Sequence, residues 1–247
     1  MYMFMDGRGM GLYKPLAIQL LRQVITILDE FELSYFLISG TLLGHVRHKA
    51  QFIPWDDDID LMVHEDLYNK LPAIYEKYKE QFVFIHNRQV EITKICYKTN
   101  YCISESELVP FLIPLKPEAN IIKSNWNIQK EKESPNKAGY TFPFVDLFVY
   151  HEIQHDPNQI HFFGKEWDKK QFFPLTKTVF EGIPNVNIPC NPHYFLYKNF
   201  GTNCLTTLKS SSYCHKVEYE IPKELIFTIS MEEYLHFKEF EKKVKNK

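Results

Sequence analysis

The sequence has no disulfide grammar. Its five cysteines, Cys96, Cys102, Cys190, Cys204 and Cys214, are odd in number and form no CxxC pair. In a chain this large that pattern points to free thiols in a reducing compartment. No Asn-x-Ser/Thr sequon occurs, in agreement with a chain that does not meet a secretory lumen. The opening stretch MYMFMDGRGMGLYKP lacks a basic region followed by an apolar run, so it does not read as a signal peptide. No segment approaches the ~20 apolar residues of a spanning helix. Together these absences lead to the expectation of a soluble, cytoplasmic protein with no membrane span. An excess of one charge is also missing: 29 Lys and Arg stand against 31 Asp and Glu. Without a basic field to hold phosphates, nucleic acid is set aside as a partner. The 20 Phe and 15 Tyr are scattered, as core residues are, rather than gathered into a stacking platform.

What is present is an ordinary globular composition, 45% hydrophobic and 24% charged over 247 residues. A chain of this size buries roughly 75% of the surface its unfolded form exposes. No internal repeat is visible. Apolar residues from Pro15 to Phe31 recur at helical spacing, with Pro15 at a first-turn position. SYFLISG reads as a short buried strand ending at Gly40, TLLGHVRH as a short helix opening from that glycine, and KAQFIPW as a loop. DIDLMV reads as a strand, residues 65–80 as a helix kinked or broken at Pro72, and FVFIH and VEITKICY as strands. Periodicity is lost over 104–138, where Pro110, Pro114 and Pro117 fall close together, and this stretch reads as an insertion or mobile loop. YTFPFVDLFVY is a strongly apolar strand, and a charged helix with a solvated face runs from about Met231 to Lys245. The expected fold class is α/β (α+β), a mixed sheet flanked by helices in one domain over residues 1–247.

Chemistry concentrates in IPWDDDIDL, where Asp56, Asp57, Asp58 and Asp60 fall within five positions between apolar neighbours. Side chains alternate along a strand, so Asp58 and Asp60 face one way while Ile59 and Leu61 enter the core. Two carboxylates held side by side call for a divalent cation, and hard oxygen ligands suit Mg²⁺ or Mn²⁺. Asp146 is the acid of the otherwise apolar strand FPFVDLFVY, and a buried lone carboxylate is costly unless paired or metal-bound. Asp58, Asp60 and Asp146 on neighbouring strands would answer both anomalies; a salt bridge from Asp146 to a Lys or Arg is the competing reading. Asp56 shares the parity of the pair and is a candidate proton acceptor or a loop cap, whereas Asp57 is given no role.

A phosphate site is expected nearby. From Ser39 to Gly44 the chain turns from strand to helix, where free N–H groups and the helix N-terminus favour an anion. Gly40 permits close backbone approach, Thr41 is a cap or phosphate donor, and Arg47 and His48 follow as cationic contacts to a diphosphate. His45 is assigned to packing.

The stretch FLISGTLLGHVRHKAQFIPWDDDIDLMV resembles the signature of the LicD/fukutin family of phosphotransferases, within the nucleotidyltransferase-fold superfamily. That superfamily's pattern is a strand, a Gly-Gly/Ser-type turn and Asp-h-Asp-h, with a third acid on a separate strand. Here Gly40-Thr41, Asp58-Ile59-Asp60-Leu61 and Asp146 stand at those places. A second block, FFPLTKTVFEGIPNVNIPCNPHYFLYKNFGTN, resembles the family's downstream segment. The resemblance implies a nucleotidyltransferase-type mixed sheet and a Mg²⁺-dependent (or Mn²⁺-dependent) transferase. Such an enzyme moves a phosphocholine- or phosphoribitol-like group from a CDP-activated alcohol donor to a hydroxyl of a glycan or glycoconjugate. It implies Asp58, Asp60 and Asp146 as metal ligands, with Asp56 beside them. Ser39, Gly40, Thr41, Gly44, Arg47 and His48 would form the phosphate cradle. Two departures stand out: Ala50-Gln51 replaces a frequent glycine, and Phe200-Gly201-Thr202-Asn203-Cys204 lacks the family's closing Trp.

Other readings compete. Transfer of the nucleotide itself to a small acceptor would use the same acids, and a catalytically silent nucleotide-binding protein would keep only the fold. His151-Glu152-Ile153-Gln154-His155 matches the zinc-protease motif literally, but that chemistry needs a helix. These five residues leave a strand and enter the turn DPN. Cysteines near His193 and His215 have irregular spacing for zinc.

Overall fold

A computed structural model describes residues 9–87, 91–98, 142–210, 213–214, 219–220 and 227–245. The expected insertion at 104–138 lies outside them. Helix α1 (Lys14–Glu30) carries Pro15 in its first turn and buries Leu16, Leu20, Leu21, Val24 and Leu28. Strand β1 (Tyr35–Leu37) is wholly buried and leads into α2 (Ser39–Arg47). Strand β2 (Asp60–His64) follows the acidic segment, so the strand begins at Asp60 rather than at Asp58. Helix α3 (Leu67–Tyr78) runs through Pro72 without a break. Strands β3 (Phe82–Asn87), β4 (Ile92–Tyr97) and β5 (Phe144–Glu152) complete the central sheet.

The sheet order is β1-β2-β5-β4-β3, with β2 and β5 parallel and the other pairs antiparallel. The fold class is therefore α+β with a mixed sheet. Strands β6 (Gln159–Phe162) and β7 (Lys165–Asp168) extend from the far end of β5. Both faces of β2 and of most of β5 are covered, which accounts for near-continuous apolar runs in place of alternation. The hairpin β8 (Thr176–Phe180) and β9 (Ile183–Ile188) lies against β1 and α1. Helix α4 (Pro192–Phe200), capped by the Asn191 side chain, packs on α2.

Short ladders finish the chain: β10 (Thr207–Lys209) pairs β13 (Thr228–Ser230), and β11 (Tyr213–Cys214) pairs β12 (Tyr219–Glu220). Helix α5 (Met231–Lys245) is not solvated all round, because Tyr234 is buried against His48 and Trp55. His151 and Glu152 end β5, and no helix forms across the zinc-protease-like sequence. His151 instead bonds Glu65 at 2.8 Å and Glu91 at 2.7 Å.

The topology fixes where chemistry can gather. Because β1 and β2 are antiparallel, the end of β1 lies beside the start of β2, with Leu37 opposite Leu61. The N-terminus of α2 therefore sits against Asp60. Parallel pairing of β2 with β5 sets Asp60 opposite Asp146, and antiparallel pairing of β5 with β4 sets Asp146 opposite Lys94. Directly opposed residues share a face, so Asp60, Asp146 and Lys94 form one row across three strands.

Candidate active site

A cavity of about 790 Å³ opens at this end of the sheet. One wall is the acidic segment and α2, the helix contributing from its first turn and its last residue: Ser39, Gly40, Arg47, Trp55, Asp56, Asp58 and Asp60. The facing wall comes from the end of α4 and the following chain, including Asn199, Phe200, Asn203, Cys204, Thr207 and Lys209. Two side chains tie the walls together. Arg47 donates to the carbonyls of Cys204 at 2.9 Å and Thr207 at 3.4 Å, and Trp55 Nε1 donates to the Lys209 carbonyl at 3.1 Å.

The acids are crowded. Burial pushes the Asp60 carboxyl well above the usual carboxylate range, and the charges of Asp58 and Asp146 push it further. Lys94 and the Gly40 N–H, which donates to Asp60 Oδ2 at 3.2 Å, work against that rise. Burial likewise raises Asp56, reinforced by Asp58, Asp60 and Asp57 and by a hydrogen bond with Asp58. Hard oxygens that burial and mutual repulsion make hard to ionise fit a divalent cation in donor type and charge. Asp146 is differently placed: its two oxygens accept from Lys94 Nζ at 2.8 and 2.9 Å, and the Lys94 side chain is 3% exposed. Among the described residues no group of three or more His, Cys, Asp or Glu is arranged as a metal cluster.

The expected phosphate cradle divides. Ser39 and Gly40 line the cavity, and so does Arg47. Thr41 and Gly44 lie behind the wall. The Thr41 hydroxyl accepts from the Asp60 N–H at 2.9 Å, fastening β2 to α2. Gly44 leaves room for the 51–53 backbone, since a Cβ there would stand 2.6 Å from the Gln51 carbonyl oxygen. His48 is not a cationic contact. Burial, aided by Arg47 and Lys238, lowers its pKa to about 3, so the neutral ring accepts from Arg47 Nε at 3.0 Å and sits edge-on to Trp55 and Tyr234. Burial also lowers Arg47 to about 10, against the opposing charges of Cys204 and Asp56; it stays protonated at neutral pH. His45 packs as expected, bonded through Nε2 to Thr178, and Asp57 is buried.

Sequence reasoning missed two features. Lys94 carried a signal, a lone cation in the apolar strand VEITKICY matched to a lone acid in FPFVDLFVY. The facing wall carried almost none beyond the asparagines of YKNFGTN.

Residues 32–143 match the LicD/FKTN/FKRP nucleotidyltransferase domain. Over that segment the chain is similar to the LicD family. Its strand-turn-helix and its Asp56–Asp60 acids fall inside the match. The lipopolysaccharide cholinephosphotransferase LicD of Haemophilus influenzae is 47% identical over 47 residues, 19% of this chain and 17% of that protein. Uncharacterised proteins of Rickettsia typhi and Rickettsia prowazekii are each 38% identical over 66 residues, 26% of this chain and 19% and 23% of theirs. The matched stretches thus span about a fifth of these relatives. Among the described residues no helix is long and apolar enough to cross a membrane.

Proposed function

We propose that the cavity transfers a phospho-alcohol from a CDP-activated donor, of the phosphocholine or phosphoribitol style, to a hydroxyl of a glycan, with Mg²⁺ or Mn²⁺ as the metal. The observation that carries this reading is the convergence of Asp56, Asp58 and Asp60 on one cavity, inside the segment that matches the LicD family. Asp58 and Asp60 would hold the metal. Asp146, the third acid expected of a nucleotidyltransferase-type sheet, stands in the same row with its oxygens on Lys94. A bound divalent ion would polarise donor phosphate oxygens and neutralise charge on departing CMP.

The chain's own groups do the rest. Arg47, fixed by three hydrogen bonds to neighbouring groups, presents a positive charge to donor phosphate without having to be ordered at binding. Gly40 holds Asp60 through its N–H. Asp56, whose raised affinity for a proton follows from burial and its acidic neighbours, is the group suited to receive the acceptor's proton.

Incubation of the protein with a panel of CDP-alcohols, Mg²⁺ and candidate glycan acceptors is expected to release CMP. Asp58→Asn and Asp60→Asn should each lower that rate by at least about a hundredfold with the melting transition retained, the upper range for disturbing a metal's surroundings. Pyrophosphate release from a nucleoside triphosphate in place of CMP would install nucleotide transfer instead. Rates indifferent to both substitutions would leave a silent nucleotide-binding protein.

A further inference from the structure

We propose that Lys94 is a built-in cation that occupies Asp146 and makes the acidic cluster a site for one divalent ion rather than two. The inference rests on the metal-dependent reading above and names how that site is limited. Lys94 is held from two sides: both Asp146 oxygens accept from its Nζ, and the same Nζ lies 3.7 Å from the centroid of the Phe144 ring. Phe144 and Asp146 are alternate residues of β5, so one strand supplies both the counter-ion and the ring face. The ammonium is thus positioned by sheet register rather than by a flexible loop.

Charge then sets the count. Lys94, Arg47 and Lys209 with one doubly charged ion balance the carboxylates of Asp56, Asp57, Asp58, Asp60 and Asp146. A second ion would bring excess positive charge into a largely buried site and would have to approach a fixed ammonium to reach Asp146. Lys94 is accordingly a positioning residue, acting through Asp146.

A purely structural ion pair and a competing cation differ in the sign of one measurement, Mn²⁺ binding by the full chain at neutral pH, followed through the paramagnetic resonance of free Mn²⁺. The wild type is expected to take up one Mn²⁺ per chain. Lys94→Met should bind Mn²⁺ at least about tenfold more tightly, or take up a second equivalent, because a unit charge beside the ion is gone. Should Lys94→Met fail to fold, Lys94→Met/Asp146→Asn removes the pair together, a change that buried ion pairs often tolerate. That double variant should bind one Mn²⁺ within about threefold of wild type, since net charge is unchanged. Two equivalents in the wild type, unchanged or weaker binding in Lys94→Met, or no binding in the double variant each overturn the proposal. A wild type that binds no Mn²⁺ overturns it together with the metal-dependent reading. Mn²⁺ binding as expected, with no CMP released from any CDP-alcohol, refutes only the transferase reading.

Discussion

Gly40→Ala separates the fold from the site. A Cβ at Gly40 would stand 2.5 Å from Asp56 Oδ2, whereas ordinary contact begins at 3.4 Å, so the Asp56 carboxylate must retreat by about 0.9 Å. No backbone atom is among the close neighbours of that Cβ, so the strain falls on the far end of one side chain. Moving Asp56 off its preferred rotamer costs about 0.5–1.5 kcal/mol. Alanine in place of a helical glycine returns up to ~1 kcal/mol, which leaves stability changed by less than ~1 kcal/mol. The site does not share that tolerance, because a displacement near 1 Å can reduce a rate about a hundredfold. Urea melts and CMP release should therefore part company in Gly40→Ala. The control is Gly44→Ala, where the new Cβ meets backbone, 2.6 Å from the Gln51 oxygen and 3.2 Å from the Ile53 nitrogen. There the backbone must yield, at about 1–3 kcal/mol, and activity should fall along with stability. Wild-type turnover in Gly40→Ala would refute the claim that Asp56 placement matters. A large loss of stability in Gly40→Ala would refute the structural reasoning itself.

Other substitutions probe the supports. Arg47→Met removes donors to the Cys204 and Thr207 carbonyls and should cost about 2 kcal/mol, with faster hydrogen exchange over 201–210; protection there equal to wild type would count against Arg47 as the tie between walls. Glu181 accepts from the Phe52 N–H at 2.6 Å and pairs with Lys14 at 2.8 Å. Glu181→Ala should lose about 1–3 kcal/mol by stranding that N–H and should loosen residues 49–55, seen as new proteolytic cuts in that stretch. His151 supplies the pH test. Burial opposes its charge, but the hydrogen bonds to Glu65 and Glu91 prevail and raise its pKa. Its contribution is complete below the unfolded value near 6.5 and is lost as pH rises through the folded value. His151→Gln should cost about 0.5–1 kcal/mol at pH 5.5, a partly exposed pair being modest. That cost should shrink by pH 8.5, and a penalty independent of pH would show that the imidazolium is not the stabilising form.

Much of the framework was legible because burial writes itself into sequence. The apolar period of α1, the run SYFLISG and the apolar strand around Asp146 each appear where hydrophobic pattern placed them. Boundaries followed less well. Asp58 precedes β2, yet it reaches the same cavity as Asp60, so strand parity was not what brought those acids together. The pairing of Lys94 with Asp146 was hidden for a different reason. Strand periodicity gives the face of a residue but not its register partner, and the pairing of β4 with β5 sets that partner across 52 positions of chain. The facing wall was hidden because its polar residues carry no charge pattern and are placed by Arg47 and Trp55 reaching over to carbonyls, contacts that leave no periodic trace.

The same long-range contacts change what the helix N-terminus does. The turn from Ser39 to Gly44 has the chemistry of an anion site, and an acidic side chain already occupies it: the carboxyl of Asp60, taking the Gly40 N–H. The Thr41 hydroxyl is committed to the Asp60 N–H, and His48 is neutral. On the proposed reading, a donor phosphate would therefore look elsewhere for positive charge. Among the described side chains that line the cavity, Arg47 and Lys209 are the cationic ones, and they stand on opposite walls. A donor diphosphate would thus lie between the walls, with metal on its acidic side and Arg47 beside it, rather than against the helix end. Lys209→Gln should then raise the KM for a CDP-alcohol with little change in kcat, because in this arrangement Lys209 would offer charge to the donor from the wall opposite the acids. A fall in kcat at unchanged KM would place the diphosphate back at the helix.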